Sequence, residues 1–227
     1  MSDYARSHAG ARMFADRLAA GVALAGELER HPPRGSLLVL ALPRGGVAVA
    51  EPVAKALDAP LDVLIVRKIG MPRDPEFAIG AVASGGILIF NPLIVRDAAS
   101  LREDVRAIVD RERTELLRRE QLYRVQREPL DLRNRTVLLI DDGLATGATM
   151  LAAVRAARVA GADAVLVAAP VASREAIELI SPEVSAMIVL QRPNPFSAVG
   201  EYYEAFEQVS DDDVRRILQR CSTTGAD

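Results

Sequence analysis

Cysteine is almost missing from this chain. Its one cysteine in 227 residues, Cys221, excludes an intrachain disulfide and any cysteine-rich metal cluster. Histidine is nearly as scarce. His8 and His31 are the only two, both in the leader, so a Ser-His-Asp triad or a two-histidine zinc site is poorly supported. Lysine occurs only as Lys55 and Lys68, and the other basic residues are arginine. No apolar run approaches the ~20 residues that a membrane-crossing helix requires. Residues 1–17 carry charges of both signs and lack the apolar stretch of a signal peptide, which gives an expectation of a cytoplasmic protein. Neither sign of charge dominates: 28 basic residues against 31 acidic ones leave a net charge of -3, which disfavours non-specific nucleic-acid binding as the main role.

What remains is an ordinary globular composition, 50% apolar and 26% charged. A chain of this length buries roughly 70–75% of the surface of its unfolded form, enough for one domain without staples. The leader to Arg34 reads as a helix with Phe14, Leu18, Val22 and Ala25 at helical spacing, and the stretch His31–Gly35 ends it. Ser36–Leu42 is a buried strand, Pro43–Gly46 a turn, and Val47–Leu57 a helix in which Pro52 is tolerable only near the first turn. Leu61–Val66 is a second strand. The Gly- and Pro-rich stretch from Arg67 to Gly86 reads as a long loop with one short strand, Ala78–Ala83, followed by strand Ile87–Phe90. Leu101–Gln126 is a long, solvated helix. Ten arginines fall between Arg102 and Arg135, but nearly as many acids accompany them.

The second half alternates strand and helix. Thr136–Asp141, Ala164–Ala169 and Ala186–Leu190 are strands, Met150–Val159 and Ser173–Leu179 helices, and a last helix follows Ser210. This rhythm predicts an α/β fold, a mainly parallel sheet flanked by helices, with ligands at the carboxyl ends of the strands.

The most informative segment is Val137–Thr149, VLLIDDGLATGAT. An apolar strand ends in two carboxylates, Asp141 and Asp142. A Gly- and Thr-containing turn then opens a helix, where backbone N–H groups and the macrodipole attract an anion. Gly147 allows close approach of a phosphate, and Thr146 and Thr149 add hydroxyl donors. The carboxylates are placed to accept hydrogen bonds from a vicinal diol. A phosphate and a diol read by neighbouring elements describe a ribose 5-phosphate. The turn has no Walker lysine and no G-x-G-x-x-G pattern.

LLIDDGLATGAT resembles the 5-phosphoribosyl-1-pyrophosphate (PRPP) loop of the type I phosphoribosyltransferases, and the likeness extends over about Leu37–Leu190. The pattern is most similar to stand-alone bacterial members of unassigned acceptor. The resemblance implies a small hood beside the sheet, formed by 191–210 or the N-terminal helix, within a single domain of 227 residues. Asp141 and Asp142 would bind the ribose hydroxyls, and Ala145, Thr146, Gly147, Ala148 and Thr149 the 5′-phosphate. Arg44, Gly45 and Gly46 match the pyrophosphate loop, with Arg44–Gly45 the peptide bond expected to be cis or strained. Arg67 and Lys68, expected at the end of the second strand, would also hold pyrophosphate, and the stretch after them would close over the site.

The implied reaction moves 5-phosphoribose from PRPP to a nitrogenous acceptor, a nucleobase, with Mg²⁺ held mainly by PRPP rather than by protein ligands. Arg44, Lys68 and Asp142 would be its catalytic residues. A position that carries an acid in the 6-oxopurine enzymes is Ala145 here, which argues against a hypoxanthine or guanine enzyme of that kind. Glu76 is the candidate proton acceptor. Phe77, Phe90, Phe196, Tyr202 and Tyr203 are candidates for stacking on a base. The alternative is a PRPP-binding regulator on the same fold without turnover. A homodimer is a further expectation from the fold.

Overall fold

Three apolar pentads hold the centre of the molecule. In the computed structural model, which describes residues 13–72, 74–91, 103–125, 127 and 129–222, with the side chains of 75–77 and 222 excepted, β1 (Leu37–Ala41), β6 (Thr136–Ile140) and the first part of β7 (Ala164–Val171) lie side by side. Leu37 pairs with Thr136 and Thr136 with Ala164, and the register runs unbroken to Ala41, Ile140 and Ala168. β2 (Leu61–Val63) and β8 (Ala186–Gln191) flank them, giving a five-stranded, all-parallel sheet of order β2-β1-β6-β7-β8. Strands covered on both faces need continuous apolar sequence, which LLVLA and TVLLI supply.

The alternation of side chains divides these strands between two cores. Val39, Ala41, Leu138 and Ile140 face α1 (Arg17–Arg30), α2 (Gly45–Ala56), α3 (Glu103–Tyr123) and α6 (Asp211–Ser222). Leu38, Leu40, Val137 and Leu139 face α4 (Ala148–Val159) and α5 (Arg174–Ile180). Each fully buried leucine contributes roughly 1.5–3 kcal/mol relative to an exposed one. The expected crossovers and strand ends are thus present, and the carboxyl ends of β1 and β6 lie together, where Leu42 N–H donates to the Ile140 carbonyl at 2.9 Å.

The structure corrects the sequence reading in four places. The stretch 67–86 is not a long loop: the short strand expected at Ala78–Ala83 extends back to Asp74, another strand precedes it, and Ile87–Phe90 is a strand as expected. β3 (Val66–Met71), β4 (Asp74–Ala83) and β5 (Ile87–Phe90) form a separate antiparallel sheet. Its glycines are sites of irregularity within strands. The β3–β4 register shifts on either side of Gly70, and a Cβ on Gly80 would lie 2.4 Å from the Ile89 carbonyl oxygen. Leu61–Val66 is likewise two strands, because the chain leaves the parallel sheet after Val63 and enters the antiparallel one at Val66.

The leader helix begins only at Arg17. Residues 1–12 of the expected helix lie outside the described residues. Its buried face is Ala20, Gly21, Leu24, Ala25 and Leu28, whereas Leu18 and Val22 are exposed and Phe14 sits before the helix in a bridge to Tyr203. Finally, Pro52 lies well inside α2 rather than in its first turn. Tertiary packing overrides the local penalty there. A Cβ on Gly21 of α1 would lie 2.4 Å from the Val49 carbonyl and 2.5 Å from Pro52 Cγ, so the two helices touch through the glycine. Gly21→Val forces them apart, with an expected loss of about 3 kcal/mol in urea unfolding.

Candidate functional site

The site is built where β6 ends. Asp141 and Asp142 follow Ile140 directly, and the Asp142 N–H donates to Asp141 Oδ1 at 2.9 Å. Burial, and next the charge of Asp142, push the Asp141 carboxyl well above the ordinary aspartate range. The first turn of α2 crosses these two residues with no space to spare. A Cβ on Gly46 would stand 2.7 Å from the Ile140 carbonyl and 3.0 Å from Asp141 Cα, and a Cβ on Gly45 would stand 1.9 Å from Asp142 Oδ2. Two glycines in succession are therefore a requirement of the contact between this turn and the acid pair. Gly45→Ala displaces the Asp142 carboxylate while leaving the cores alone. Its expected signature is a near-wild-type melting temperature together with a loss of ligand affinity of at least about tenfold, from one misplaced charged hydrogen-bonding group.

Arg44 caps α2, and the cis peptide bond of this turn is Pro43–Arg44, one residue earlier than the sequence suggests. The Arg44 guanidinium is two-thirds covered. It lies 3.7 Å from Asp211 Oδ1 at the start of α6, and that same oxygen accepts the Tyr123 hydroxyl of α3 at 2.5 Å. Burial and the Asp211 contact push the Tyr123 phenol up to about 12.

After Asp142 the chain turns over a packed floor. Leu144 exchanges backbone hydrogen bonds with β7 and Ser173, and the buried Ser173 hydroxyl donates to the Ala145 carbonyl while accepting from Ala176 N–H. Gly147 adopts φ 76° at the N-cap of α4, a conformation natural to glycine, and its Cα faces Ala176. Ala145, Thr146, Ala148 and Thr149 remain exposed on the outer side. The N-terminus of α4 opens in this same segment, where Ala148 N–H donates to Thr146 Oγ1 at 3.4 Å and no acid stands in the first turn.

Arg67 and Lys68 belong to β3 rather than to the end of β2. They line a cavity of about 590 Å³ together with Thr149, Ile108, Arg111 and Glu112. Arg67 already has an anionic partner within the protein. Arg67 donates to Glu112 Oε2 through Nε at 2.9 Å and pairs through Nη2 at 2.7 Å, and Glu112 is itself buried. Thus Asp141, Asp142, Gly45 and Gly46 form one tight cluster, while Arg67, Lys68 and Thr149 share one cavity. The Glu76 and Phe77 side chains lie outside the described residues. Phe196, Tyr202 and Tyr203 are packed in a small cluster with Phe14, Ala20, Val171 and Val199. Phe90 packs against the main core.

The family model of the phosphoribosyl transferase domain matches residues 14–205. The chain belongs to that family. Two Mycobacterium tuberculosis relatives, from strains CDC 1551 and H37Rv, bear the names "Putative phosphoribosyl transferase" MT0597 and Rv0571c. Each is 41% identical over 213 residues, covering 92% of this chain and 47% of the relative. The chain thus spans about half the length of those curated relatives. The solved structure of TT1426 from Thermus thermophilus is 42% identical, with a TM-score of 0.82 over 92% of this chain and 98% of that one.

Several residues of this phosphoribosyl transferase domain that contact the candidate site were not legible locally. Arg17 reaches Asp142, Tyr203 donates its hydroxyl to the Asp142 carbonyl, and Asp211 and Glu112 hold Arg44 and Arg67. All four pairings join segments 45 to 167 positions apart, as the residue numbers give. In sequence Arg17, Asp211 and Glu112 look like surface charges, and Tyr203 stands only as a candidate for stacking on a base.

Proposed function

We propose that this domain is a Mg²⁺-dependent phosphoribosyltransferase that moves 5-phosphoribose from PRPP to a nitrogenous acceptor, a nucleobase, and releases pyrophosphate. The observation that carries this reading is the Asp141–Asp142 pair at the end of β6, followed at once by the N-terminus of α4. The first suits a diol and the second a phosphate, the two groups that a ribose 5-phosphate carries. The acceptor nitrogen contributes its lone pair to ribose C1, the C1–oxygen bond to pyrophosphate breaks with both electrons leaving on that oxygen, and the nitrogen's proton passes to water. Asp141 and Asp142 fix the ribose beside the positive charge that develops on its ring. Arg44, Gly45, Gly46, Arg67 and Lys68 receive pyrophosphate, so that catalysis is mainly positioning and charge stabilisation.

Arg67 exchanges part of its Glu112 contact for the anion, and Arg44 part of its Asp211 contact. Ala145 to Thr149 hold the 5′-phosphate. Mg²⁺ would be held mainly by the pyrophosphate and ribose oxygens of PRPP, hard donors that suit it, with Asp141 and Asp142 acting on the ribose hydroxyls rather than as its ligands. When bound, the ion neutralises charge on the departing pyrophosphate. Segment 191–210, with the start of α1, is the hood over the acceptor. Among the described residues no helix is long and apolar enough to cross a membrane.

The test is pyrophosphate release from PRPP and Mg²⁺ across a panel of purine and pyrimidine bases. Turnover with one class of base is expected. Tight PRPP binding with no release for any base would favour the regulatory alternative.

A further inference from the structure

Arg17 occupies a position where helix energetics do not want a cation. It is the first residue of α1, at the positive end of the macrodipole, in a first turn without an acid. Its side chain is nevertheless largely buried and held by three groups. Nε donates to Asp142 Oδ2 at 2.7 Å, Nη1 donates to the Glu207 carbonyl at 2.7 Å, and the guanidinium carbon lies 3.7 Å from the centre of the Phe206 ring. Asp142 is gripped a second time through its backbone, because the Tyr203 hydroxyl donates to its carbonyl at 2.5 Å. Two distant segments, the start of α1 and 203–207, therefore meet at Asp142 in the turn after β6, one at its carboxylate and the other at its backbone carbonyl. A residue that violates a local rule and is compensated by long-range contacts is expected at functional sites.

We propose that Arg17 is a positioning residue for sugar recognition. It clamps Asp142 Oδ2 so that the other oxygen, Oδ1, is presented to the hydroxyl pair of a pentose phosphate. The inference rests on the PRPP reading above and deepens it. Oδ2 has no room for a sugar, since it lies against Arg17 and within 1.9 Å of where a Gly45 Cβ would be. Apart from Arg17, what the Asp142 carboxylate meets is its neighbour in the pair, the Asp141 carboxyl, with which it shares a hydrogen bond. The guanidinium is planar and forked, so one side chain can hold the carboxylate and the Glu207 carbonyl at once, which an ammonium does less well. Glu207 and Phe206 keep the clamp from swinging away when the sugar enters.

The experiment compares ribose 5-phosphate with 2-deoxyribose 5-phosphate by calorimetric titration of the full chain, as wild type, Arg17→Ala and Arg17→Lys, with a melting curve for each. Wild type should prefer ribose 5-phosphate. Arg17→Ala should weaken ribose 5-phosphate by about tenfold, the worth of one charge-assisted contact, and leave 2-deoxyribose 5-phosphate within about twofold. Arg17→Lys should restore part of the preference, and it carries the comparison alone if the alanine variant does not fold. Equal weakening of both sugars would make Arg17 a structural strap and overturn the proposal. Tighter binding of ribose 5-phosphate by Arg17→Ala would make it a plug over the diol site and overturn it equally. A wild type that binds neither sugar would refute the PRPP reading itself, and this inference with it, whereas an unchanged preference in both variants refutes the inference alone.

Discussion

Replacing Asp62 with alanine should cost about 3–5 kcal/mol of folding free energy, the range for breaking a buried ion pair from one side. Asp62 lies on β2, where a carboxylate is unusual, and it is buried. Its two oxygens accept from Arg124 Nε at 3.2 Å and from Nη2 at 3.1 Å, and Arg127 Nη1 lies 3.5 Å away. The Val63 N–H donates to the same carboxylate at 2.8 Å. Arg127 also donates to the carbonyls of Leu61 and Leu218. One carboxylate thus ties the edge strand to the chain just after α3, and through Arg127 to α6. Alanine would take the carboxylate from between two largely covered guanidiniums and leave them facing an apolar gap. Urea unfolding followed by circular dichroism measures the effect, and a loss below about 1 kcal/mol would show that water satisfies these arginines instead. Asp62→Asn, which keeps an acceptor oxygen, should lose clearly less than Asp62→Ala.

The second large effect has opposite signs for folding and for binding. Asp141→Asn should abolish sugar-phosphate binding, at least about a hundredfold for the loss of a charged acceptor to a diol, while raising the melting temperature at neutral pH. Burial first, and the charge of Asp142 second, raise the folded-state pKa of Asp141. A carboxyl whose pKa is higher when folded binds protons more readily folded than unfolded, so stability falls as pH rises above its unfolded value. Asparagine removes that penalty and keeps an oxygen for the Asp142 N–H. A gain of about 1 kcal/mol, which is roughly 2–4 °C for a domain of this size, is therefore expected at pH 7 to 8. The gain should shrink as pH falls through the acid range and approach zero only below about pH 3, where the wild-type carboxyl is neutral in both states. A variant less stable than wild type at pH 7.5 would contradict this account of the pair. The acid pair is a place where the fold retains electrostatic cost.

How much of this was legible in the sequence follows the range of the interactions. LLVLA, TVLLID and AVLVAA are strands by composition alone, because a strand covered on both faces has one solution, and their parallel order follows from the helices between them. The turn from Asp141 to Thr149 was equally clear, since every residue that shapes it is local. Of the antiparallel sheet, β5 and the second half of β4 were legible, whereas β3 and the pairing of the three were not. Gly70, Gly80, Gly85 and Gly86 signal loops in isolation, whereas here they permit a register shift, a close strand contact and a tight turn at φ 76° and 74°. Pro52 misled for a related reason, since the Gly21 contact that accommodates it comes from another helix. The candidate site shows the same division. Its glycines and acids were readable, and the cis bond of its turn was placed one residue late. The ion pairs of Arg17, Arg44 and Arg67 were invisible because each partner lies far away along the chain. Nothing near Arg17 distinguishes it from the other arginines of an arginine-rich chain.

The central claim is that the acid pair and the turn behind it read PRPP. The measurement that tests it most directly is calorimetric titration of PRPP with Mg²⁺ into wild type and into the double variant Asp141→Asn/Asp142→Asn. Wild type should bind PRPP at micromolar concentration, and the variant should lose at least about a hundredfold, with its melting curve showing a folded protein. Wild type that does not bind PRPP, or a folded variant that binds it as well as wild type, would contradict the account.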